Sequence, residues 1–493
     1  AKVRTRPDDI AGGLVDALAL LLRRAGAEPA DVGYLAHGTT TATNAIVQRR
    51  LARTALVTNE GFRDVLEIGT QMRPRIYDLW TPQPRPVVRR EDAVGVPGRL
   101  GPDGAELVPL DEEAVERTAR DLAARGVEAI AVVLLHAYAS DAHERRIAEV
   151  LAQVAPDLPV SCSSRVAPEV REYPRAATTA LNASLLPQVG RYVRRLEAAV
   201  AEAGVRVPVH LMQSSGGVAT ADVAAELPVA LAASGPAAGV IGGARLGALV
   251  GEPDLLTFDV GGTTADVALV VGGRPALRFQ GEQAGHPVTL PQIDVLSIGA
   301  GGGSIARVDA FGALTVGPAS AGAEPGPAAY GHGGTEATVT DAHVVLGTLD
   351  AARTLGSGRT TLDAGLAREA VRRAVGEPLG LSVEEAAAAI IRVLDATMAG
   401  ALRLVSVARG HDPRALALLP IGGAGPMHAC AIADELGVPR IVVPRHPGIA
   451  AATGLLVSDV QHDARVSYPR LLDGLDLAAL AARLGTLEAD ARR

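Results

Sequence analysis

Residues 255–270 read LLTFDVGGTTADVALV, and this stretch decides the fold. Two apolar runs flank an acidic turn that contains two glycines and two threonines, a pattern typical of two buried strands joined tightly. A Gly-Gly turn lets backbone N–H groups converge on one point and so favours an anion. The polar and small residues of the turn are Asp259, Gly261, Gly262, Thr263, Thr264 and Asp266.

The two acidic residues of this turn restrict what it can bind. Asp259 and Asp266 would repel a phosphate directly, so they suit a phosphate site only if a cation or a chain of waters mediates. Mg²⁺ fits that role because it keeps most of its waters and takes only one or two carboxylates. The alternative is a β-hairpin whose glycines only satisfy the geometry of the turn. We favour the phosphate site.

Composition restricts the class of protein. A chain of 493 residues exceeds one ordinary core, so we expect two or more domains. Hydrophobic residues make up 48% of the chain but aromatic residues only 2%, so the cores must consist of aliphatic side chains. That composition suits helices packed on parallel sheets. The net charge of −8 and the lack of a long basic run argue against nucleic acid as a main partner.

Cysteine content and hydropathy indicate the compartment. Cys162 and Cys430 are too few for a disulfide framework or a thiolate metal site, which fits a reducing cytoplasm. The longest uncharged stretch, 227–244, contains two prolines and four glycines and is a poor membrane span. We therefore expect a cytoplasmic protein without a membrane partner. The chain opens with Ala1 rather than Met, which is typical of a fragment or a processed product.

The first part of the chain alternates between helical and strand patterns, which argues for an α/β domain. The segment 72–105 is rich in Pro, Arg and Gly and predicts an extended excursion. The predicted elements are helices at 8–25, 111–125 and about 141–153, strands at 32–36 and 55–58, and an apolar run at 129–139.

The second part of the chain is interrupted by small residues. We expect a helix from about Pro187 to Ala203, with the proline at its first position. The sequence GAGGGS at 299–304 predicts a very flexible loop, and 317–341 predicts a long irregular stretch. The longest helix is expected at about 382–409, where it opens with a capping box.

A second small-residue turn lies in ALALLPIGGAGPMHACAIADE, residues 416–436. A strand pattern leads into Gly422, Gly423 and Gly425, and a helix begins at Pro426. The small residues let a flat ligand or a phosphate approach the backbone closely, and the N-terminus of the helix is electropositive. Alone this signal is weak, because many α/β proteins use such a turn only to pack a helix on a strand. Together with the hairpin it matches the actin-like ATPase superfamily. The sequence therefore predicts an α/β, actin-like (ribonuclease H-like) two-domain fold that binds ATP and Mg²⁺.

Within that superfamily the chain resembles the hydantoinase A / 5-oxoprolinase family, which includes the N-methylhydantoinase A subunit and the acetone carboxylase β subunit. The matching segments span almost the whole chain in one order. They are HGTTTATNAIVQRR (37–50), ALVTNEGFRDVLEIG (55–69), MQSSGGV (212–218), ASGPAAGV (233–240), TFDVGGTTADV (257–267), DVLSIGAGGGSIARVD (294–309), GPASAGAEPGPAAYGHGGTEATVTDA (317–342) and PIGGAGPMHACAIADELGVPRIVVPRHPGIAAATGLL (420–456).

The resemblance also implies two phosphate hairpins. The family has its first, of DVGGT type, at the extreme N-terminus; this chain lacks it, and residues 259–266 match the second. If the natural polypeptide starts at Ala1, half of the phosphate clamp is absent, whereas a longer protein would supply it. The C-terminus also stops short of the usual family length. The resemblance divides the chain into an N-terminal domain at 1–185, truncated at its start, and a hydantoinase A domain at 186–493.

The activity implied by the resemblance is ATP-dependent attack on a cyclic amide or imide such as 5-oxoproline, hydantoin or a related lactam. Transfer of the γ-phosphoryl group to the carbonyl oxygen makes that oxygen a better leaving group, so that ring opening can follow. A hydantoinase B-type subunit is expected to carry the second step, which implies a hetero-oligomer. Two alternatives stay open: a β-type subunit of an acetone or acetophenone carboxylase, and a nucleotide-binding scaffold without catalysis.

The resemblance assigns roles at the two glycine-containing turns. Asp259 would orient water bound to magnesium, and Asp266 would support the turn or a second water. The β- and γ-phosphates are assigned to Gly261, Gly262, Thr263 and Thr264, and the adenosine to Gly422, Gly423 and Gly425.

Two further segments have both a functional and a structural interpretation. His37, Thr39 and the threonines that follow either face the substrate or γ-phosphate, or they cap a helix beside a buried imidazole. Gly301 and Gly302 belong to a loop that either closes over nucleotide or substrate or forms a structural turn; we favour the functional role. The remaining histidines show no metal-ligand spacing.

Overall fold

The computed structural model describes residues 3, 6, 9–73, 75–354 and 361–492. The chain divides into two compact units. The N-terminal unit consists mainly of Thr5–Ser234, with Arg278–Gln292 and Asp459–Arg493. The C-terminal unit consists mainly of Gly235–Leu277 and Ile293–Ser458.

The helices and strands are numbered along the chain. The α-helices are α1 (Ile10–Ala25), α2 (Thr41–Val47), α3 (Val65–Ile68), α4 (Glu112–Ala124), α5 (Ala142–Val154), α6 (Ser163–Val166), α7 (Glu172–Glu202), α8 (Ala221–Glu226), α9 (Ser234–Val250), α10 (Val339–Val345), α11 (Ala364–Val371), α12 (Glu377–Leu379), α13 (Val383–Val405), α14 (Gly425–Leu436), α15 (Ala450–Val457) and α16 (Leu477–Arg492). The strands are β1 (Leu35–His37), β2 (Thr54–Asn59), β3 (Ala93–Val96), β4 (Arg99–Leu100), β5 (Glu106–Val108), β6 (Ala129–Val132), β7 (Val160–Cys162), β8 (Val209–Met212), β9 (Val218–Thr220), β10 (Leu255–Val260), β11 (Ala265–Val271), β12 (Arg274–Pro275), β13 (Leu277–Arg278), β14 (Gly281–Gln283), β15 (His286–Val288), β16 (Gln292–Ile293), β17 (Val295–Ile298), β18 (Ser304–Val308), β19 (Leu314–Ser320), β20 (Ala417–Gly422) and β21 (Arg440–Ile441).

The C-terminal unit is built on the predicted hairpin. β10 pairs antiparallel with β11, which pairs antiparallel with β17, and on its other side β10 pairs parallel with β20, followed by β21. Three antiparallel strands continued by two parallel ones form the ribonuclease H-like sheet. Helices α13 and α14 cover it, and their aliphatic side chains share one core with those of the strands. The predicted α/β, actin-like ATPase fold is confirmed.

Local signals explain the longest helix of this unit. Ser382 precedes α13, and its hydroxyl accepts a hydrogen bond from the Glu385 N–H at 3.2 Å. The Glu385 carboxylate in turn accepts one from the Ser382 N–H at 2.9 Å. This reciprocal pair satisfies N–H groups that a helix start leaves without intrahelical partners. The predicted capping box is confirmed.

The N-terminal unit holds two sheets beside one long helix. In the first sheet β1 pairs parallel with β8, and β8 pairs antiparallel with β9. The second sheet is all parallel in the order β3-β2-β6-β7. Strands β2 and β6 are fully buried, which is usual for parallel strands with both faces covered. Helix α7 contributes side chains to the cores beside both sheets.

Helix α7 corrects the prediction of a helix that starts at Pro187. The observed helix runs through this proline from residue 172 and is, at 31 residues, longer than α13 with 23. A proline inside a helix costs about 3 kcal/mol. Burying one Leu or Val side chain stabilises by about 1.5–3 kcal/mol. Because Leu181, Leu185 and Val189 are all fully buried, packing outweighs the missing hydrogen bond.

The region after residue 317 is partly regular. The stretch 317–341, predicted as irregular, begins inside β19, which pairs antiparallel with the preceding strand β18, so its first four residues are part of a hairpin. No helix in the described part of the chain is both long enough and apolar enough to cross a membrane.

Cys162 is buried and Cys430 is exposed, and both are free thiols.

Candidate functional site

The turn between β10 and β11 presents exposed backbone. A hydrogen bond of 3.0 Å from the Gly261 N–H to the Thr264 carbonyl closes it, and all four turn residues are exposed. The carbonyls of Gly261 and Gly262 accept hydrogen bonds from the N–H groups of Gly302 and Gly303, at 3.0 and 2.6 Å. Because these oxygens are engaged by a neighbouring loop, the threonine hydroxyls and the N–H groups that follow Gly261 are the groups left for an anion.

The loop at 299–304 is packed, which corrects the prediction of a very flexible loop. A Cβ on Gly301 would lie 2.8 Å from backbone atoms of Gly262 and Thr263, so only glycine permits this approach. The Gly302 carbonyl accepts hydrogen bonds from the N–H and hydroxyl of Thr340, at 2.7 and 2.8 Å. The loop therefore supports the turn from behind while Thr340, at the start of α10, holds the loop.

Two carboxylates face each other beside the turn. Asp259 on β10 lies directly opposite Asp266 on β11. Burial, and next the neighbouring Asp266 charge, raise the pKa of Asp259 to about 6. Burial also raises the pKa of Asp266, although the Ser297 hydroxyl donates a hydrogen bond to this carboxylate and opposes the rise. Burial thus disfavours the charged form of both groups, and Asp259 in addition faces the charge of Asp266, so two negative charges are unfavourable here unless a cation compensates them.

The donor set suits Mg²⁺ better than zinc. Among the residues that the structure describes, no group of three or more His, Cys, Asp or Glu side chains could hold a metal. Mg²⁺ does not need such a cage, because it is commonly bound through one or two carboxylates and its own waters. The Asp259–Asp266 pair therefore fits magnesium, whereas a zinc site would need more nitrogen or sulfur ligands.

The second glycine turn meets the first at the end of β10. Gly422 has φ +83°, and a Cβ there would lie 2.3 Å from Oδ1 of Asp259 and 2.4 Å from the Val260 carbonyl. Gly423 is exposed, and a Cβ on it would meet no atom within 4 Å. Helix α14 begins at Gly425. The two turns recognised in the sequence thus lie on adjacent parallel strands and share one edge.

Sequence reasoning missed supporting residues around this edge. A Cβ on Gly239 of α9 would lie 3.4 Å from Oδ2 of Asp259 and 3.1 Å from Ile421, so this helix packs closely on the strands. Gly243, one turn later, would place a Cβ 2.7 Å from Thr257. The four-residue spacing of these glycines was the available signal, because it marks one helix face.

The other predicted residues, His37 and Thr39, lie in the N-terminal unit. Nε2 of His37 is 2.5 Å from the Tyr192 hydroxyl, and burial lowers the pKa of His37 to about 4. The Thr39 hydroxyl lies 2.8 Å from that of Thr41 and also accepts the Thr41 N–H at 3.2 Å. Part of the role of Thr39 is thus local turn formation, while the His37–Tyr192 pair is neutral and polar.

A buried histidine pair in the C-terminal unit has a structural arrangement. Nδ1 of His428 is 2.7 Å from Asp395, and its Nε2 is 3.3 Å from Nε2 of His343. Nδ1 of His343 is 2.7 Å from the Thr348 hydroxyl. Every ring nitrogen has a partner, so these side chains join α10, α13 and α14. This agrees with the lack of metal-ligand spacing among these histidines in the sequence.

Two family profiles match the chain. The hydantoinase/oxoprolinase profile covers residues 175–464, and the profile of the hydantoinase/oxoprolinase N-terminal region covers residues 1–155. The first match alone extends over more than half of the chain.

Named relatives agree with the profiles. The caprolactamase subunit alpha of Pseudomonas jessenii is 36% identical over 96% of this chain and 68% of its own length. The crystal structure of the ATP-dependent caprolactamase from that organism superposes with a TM-score of 0.88, covering 97% of this chain and 71% of the other. The nucleotide-free structure of acetone carboxylase is 29% identical, with a TM-score of 0.81 over 99% of this chain and 72% of the other.

A longer relative is 5-oxoprolinase 1 of Arabidopsis thaliana. It is 36% identical over 89% of this chain, which spans 37% of that protein. The two profiles, the extended sequence matches and the superpositions on the caprolactamase and acetone carboxylase structures all point to one assignment. The chain belongs to the hydantoinase/oxoprolinase family.

Proposed function

We propose that this chain is the ATP-using subunit of an enzyme that opens a cyclic amide or imide. The observation that carries the proposal is the facing pair Asp259 and Asp266 beside the exposed turn at 261–264. A pair of partly buried carboxylates next to an exposed turn is suited to a nucleotide that arrives with its magnesium. The relatives that are named ATP-dependent support this choice of cofactor.

Each part of the edge has a separate task in this proposal. Gly261, Gly262, Thr263 and Thr264 hold the β- and γ-phosphates, and Gly422, Gly423 and Gly425 line the adenosine. Asp259 orients water of the magnesium shell and Asp266 supports the turn. When bound, Mg²⁺ neutralises charge on the phosphates. The loop at Gly301 and Gly302 keeps the turn in the shape that receives them.

The chemistry follows from the poor electrophilicity of a lactam carbonyl. The γ-phosphoryl group is transferred to the carbonyl oxygen, water adds to the carbonyl carbon, and the ring C–N bond breaks with proton transfer to nitrogen. The resulting acyl phosphate is attacked at carbon by a second water, and phosphate leaves with the former carbonyl oxygen to give the carboxylate. Positioning and electrostatic stabilisation supply most of the acceleration in such transfers. His37 and Thr39 are proposed to face the substrate or the γ-phosphate.

A hydantoinase B-type partner is part of the proposal. The caprolactamase relative is named as a subunit, and the 5-oxoprolinase relative is far longer than this chain. A second polypeptide, or a fused region, would carry the hydrolytic step in the cytoplasm. The protein would then work as a hetero-oligomer.

Substrate-dependent ATP hydrolysis tests the proposal. The full-length protein, co-expressed with its B-type neighbour, is assayed with ε-caprolactam, hydantoin, 5-oxoproline, and acetone with bicarbonate. Stimulation by a cyclic amide, with the ring-opened product in equal amount to ADP, is the expected result. Stimulation by the ketone alone would favour the carboxylase, and ATP binding without turnover would favour a scaffold.

A further inference from the structure

We infer that the carboxyl edge of β1 and β8 is the binding site for an uncharged cyclic amide, with the Ser215 hydroxyl as one of its contacts. This inference rests on the proposed function and narrows its substrate class. Three segments of the N-terminal unit form the site, which we call the neutral edge: residues 37–41, 213–217 and 232–234.

Strand pairing brings the first two segments together. β1 runs parallel to β8, with His37 opposite Leu211, so both strands end at the same edge of the sheet. The segment HGTTT continues from β1, and QSSGG continues from β8. Ligands of α/β proteins bind outside the carboxyl ends of parallel strands, where loops diverge and backbone groups become available.

The third segment ties the two loops to each other. The Ser234 hydroxyl donates a hydrogen bond to the Thr39 carbonyl at 3.2 Å. The Ser214 N–H donates one to the Ala230 carbonyl at 2.7 Å, just before this segment. Residues 230–234 are therefore hydrogen-bonded to both loops, and these bonds hold the two loops at a fixed separation. A ligand bound by one loop would be within reach of groups held by the other.

Ser215 presents a buried hydroxyl that no other described group engages. It is only 8% exposed, and its hydroxyl has no hydrogen-bond partner among the described residues. Leaving a buried polar group without a hydrogen-bond partner is unfavourable. The loop cannot easily shift to relieve this, because a Cβ on Gly217 would lie 2.3 Å from Gln461. A hydroxyl held in this way is available to a small polar molecule.

The chemistry of the neutral edge selects the ligand. Its side chains offer hydroxyl groups from Thr39, Thr41 and Ser215 and the phenol of Tyr192, and none of them is charged. His37 is also uncharged above about pH 5, because burial lowers its pKa to about 4. A cyclic amide presents one N–H donor and one carbonyl acceptor, both of which hydroxyl groups satisfy. The three segments of the neutral edge contain no lysine or arginine, so they supply no cation for a carboxylate.

A neighbouring cleft provides the contrasting ligand class. This cleft, of about 480 Å³, includes Thr41 and Tyr192 and is also lined by three exposed arginines, together with Asp9, Ile10, Ala11 and Gln188. Arg195 is paired with Asp9 at 3.1 Å, while Arg191 and Arg194 also face the cleft. If the substrate reached into this cleft, a ring that carries a carboxylate, such as 5-oxoproline, would be preferred.

The test compares three variants of the full-length protein with its partner. Binding of ε-caprolactam and of 5-oxoproline is measured by calorimetry without ATP, and the KM values for lactam and ATP are measured separately. Ser215→Ala should weaken ε-caprolactam binding about tenfold and leave the KM for ATP within about twofold. Ser215→Thr keeps the hydroxyl and should recover most of the affinity. Ser184→Ala, whose buried hydroxyl bonds within α7, is the matched control and should match the parent.

The outcomes separate the inference from the proposed function. Equal ε-caprolactam affinity in Ser215→Ala and the parent would overturn the inference even if lactams stimulate ATP hydrolysis. Preference for 5-oxoproline that disappears in Arg191→Gln would also overturn it. Lactam binding that depends on Ser215 without any ATP turnover would support the neutral edge and overturn the proposed function instead. Unchanged melting temperatures in all variants would show that folding is not the cause.

Discussion

Two edges of this molecule share one local design and differ in chemistry. At the first, β20 leads through a glycine turn into α14 beside β10; at the second, β1 leads through HGTTT into α2 beside β8. The first edge carries two facing carboxylates and exposed glycine backbone. The second carries hydroxyls and a neutral imidazole. The backbone design thus provides the place for a ligand, and the residues after each strand decide which ligand fits.

The difference also appears in how each edge is stabilised. At the carboxylate edge, burial and repulsion raise the pKa of Asp259, so the unliganded state is disfavoured at neutral pH. At the neutral edge, burial removes the charge of His37 and hydrogen bonds satisfy its neighbours. We therefore expect a cation to stabilise the first edge and an uncharged amide to occupy the second.

The largest effect should come from breaking the shape of the carboxylate edge. Gly422→Ala would place a methyl 2.3 Å from the Asp259 carboxylate at a backbone angle, φ +83°, that favours glycine. We expect ATP hydrolysis to fall by about 100-fold or more and the unfolding free energy by about 1–3 kcal/mol. Steady-state kinetics and denaturant melts measure both.

The control for this variant lies in α13 of the same unit. A Cβ on Gly400 would meet no atom within 4 Å, so Gly400→Ala should keep full ATP hydrolysis and gain up to about 1 kcal/mol of stability. Equal activity of Gly422→Ala and the parent would remove this turn from the nucleotide site.

A large effect should follow from removing one charge of the facing pair. Asp259→Asn keeps the shape but loses the carboxylate that orients magnesium-bound water, so we expect about 100-fold slower ATP hydrolysis with an unimpaired fold. The Mg²⁺ concentration needed for half-maximal activity should rise. Asp254→Asn, before the start of β10, is the control, because its side chain bonds the Gly272 N–H and lies away from the turn. Parent-like turnover in Asp259→Asn would exclude this residue from the mechanism.

A moderate effect is expected at the neutral edge. Tyr192→Phe removes the hydroxyl that meets His37 at 2.5 Å, so the KM for a lactam should rise by about three- to tenfold while the KM for ATP stays unchanged. Tyr34→Phe, in the same unit, stacks near His210 and serves as the control. A rise confined to the KM for ATP would mean that this edge binds nucleotide instead, and the contrast between the two edges would be lost.

The smallest effect is an opposite pH dependence of stability. Asp259 has a folded pKa near 6 against an ordinary 3.8, so its contribution to stability decreases as pH rises through this window. His37 has a folded pKa near 4 against 6.5, so its contribution increases as pH rises. Between about pH 4 and 6, Asp259→Asn should therefore show a more positive slope of melting temperature against pH than the parent, and His37→Gln a more negative one. Identical slopes in calorimetry would contradict both assignments.

The sequence predicted those parts of the fold that depend on neighbouring residues. The hairpin, the glycine turn before α14 and the capping box of α13 all follow from short patterns, and the structure confirms them as elements. The predicted start of α7 was wrong, because burial of Leu181 and Leu185 stabilises the helix by more than the proline destabilises it. Short sequence patterns indicate local conformational preference, whereas packing depends on residues that are distant in the sequence.

The sites show the same limit. His37 and Tyr192, which are in contact, lie 155 residues apart in the sequence, and no pattern near either residue predicts this contact. The glycines of 299–304 looked like a source of flexibility, yet Gly301 is required by its close approach to the turn at Gly262. Ser215 stood in a matched segment without a role until its unpaired hydroxyl appeared in the structure. Distances and unsatisfied groups carry information that spacing does not.

The most direct test of the central claim follows the carbonyl oxygen. The full-length protein with its partner hydrolyses a lactam labelled with ¹⁸O at the carbonyl, and ³¹P NMR measures the isotope in inorganic phosphate. Because the γ-phosphoryl group is proposed to bond that oxygen, we expect the label in the phosphate, in proportion to the ring-opened product. Label that stays entirely in the product carboxylate, with ATP consumed, would contradict phosphoryl transfer to the substrate and release of phosphate with its oxygen.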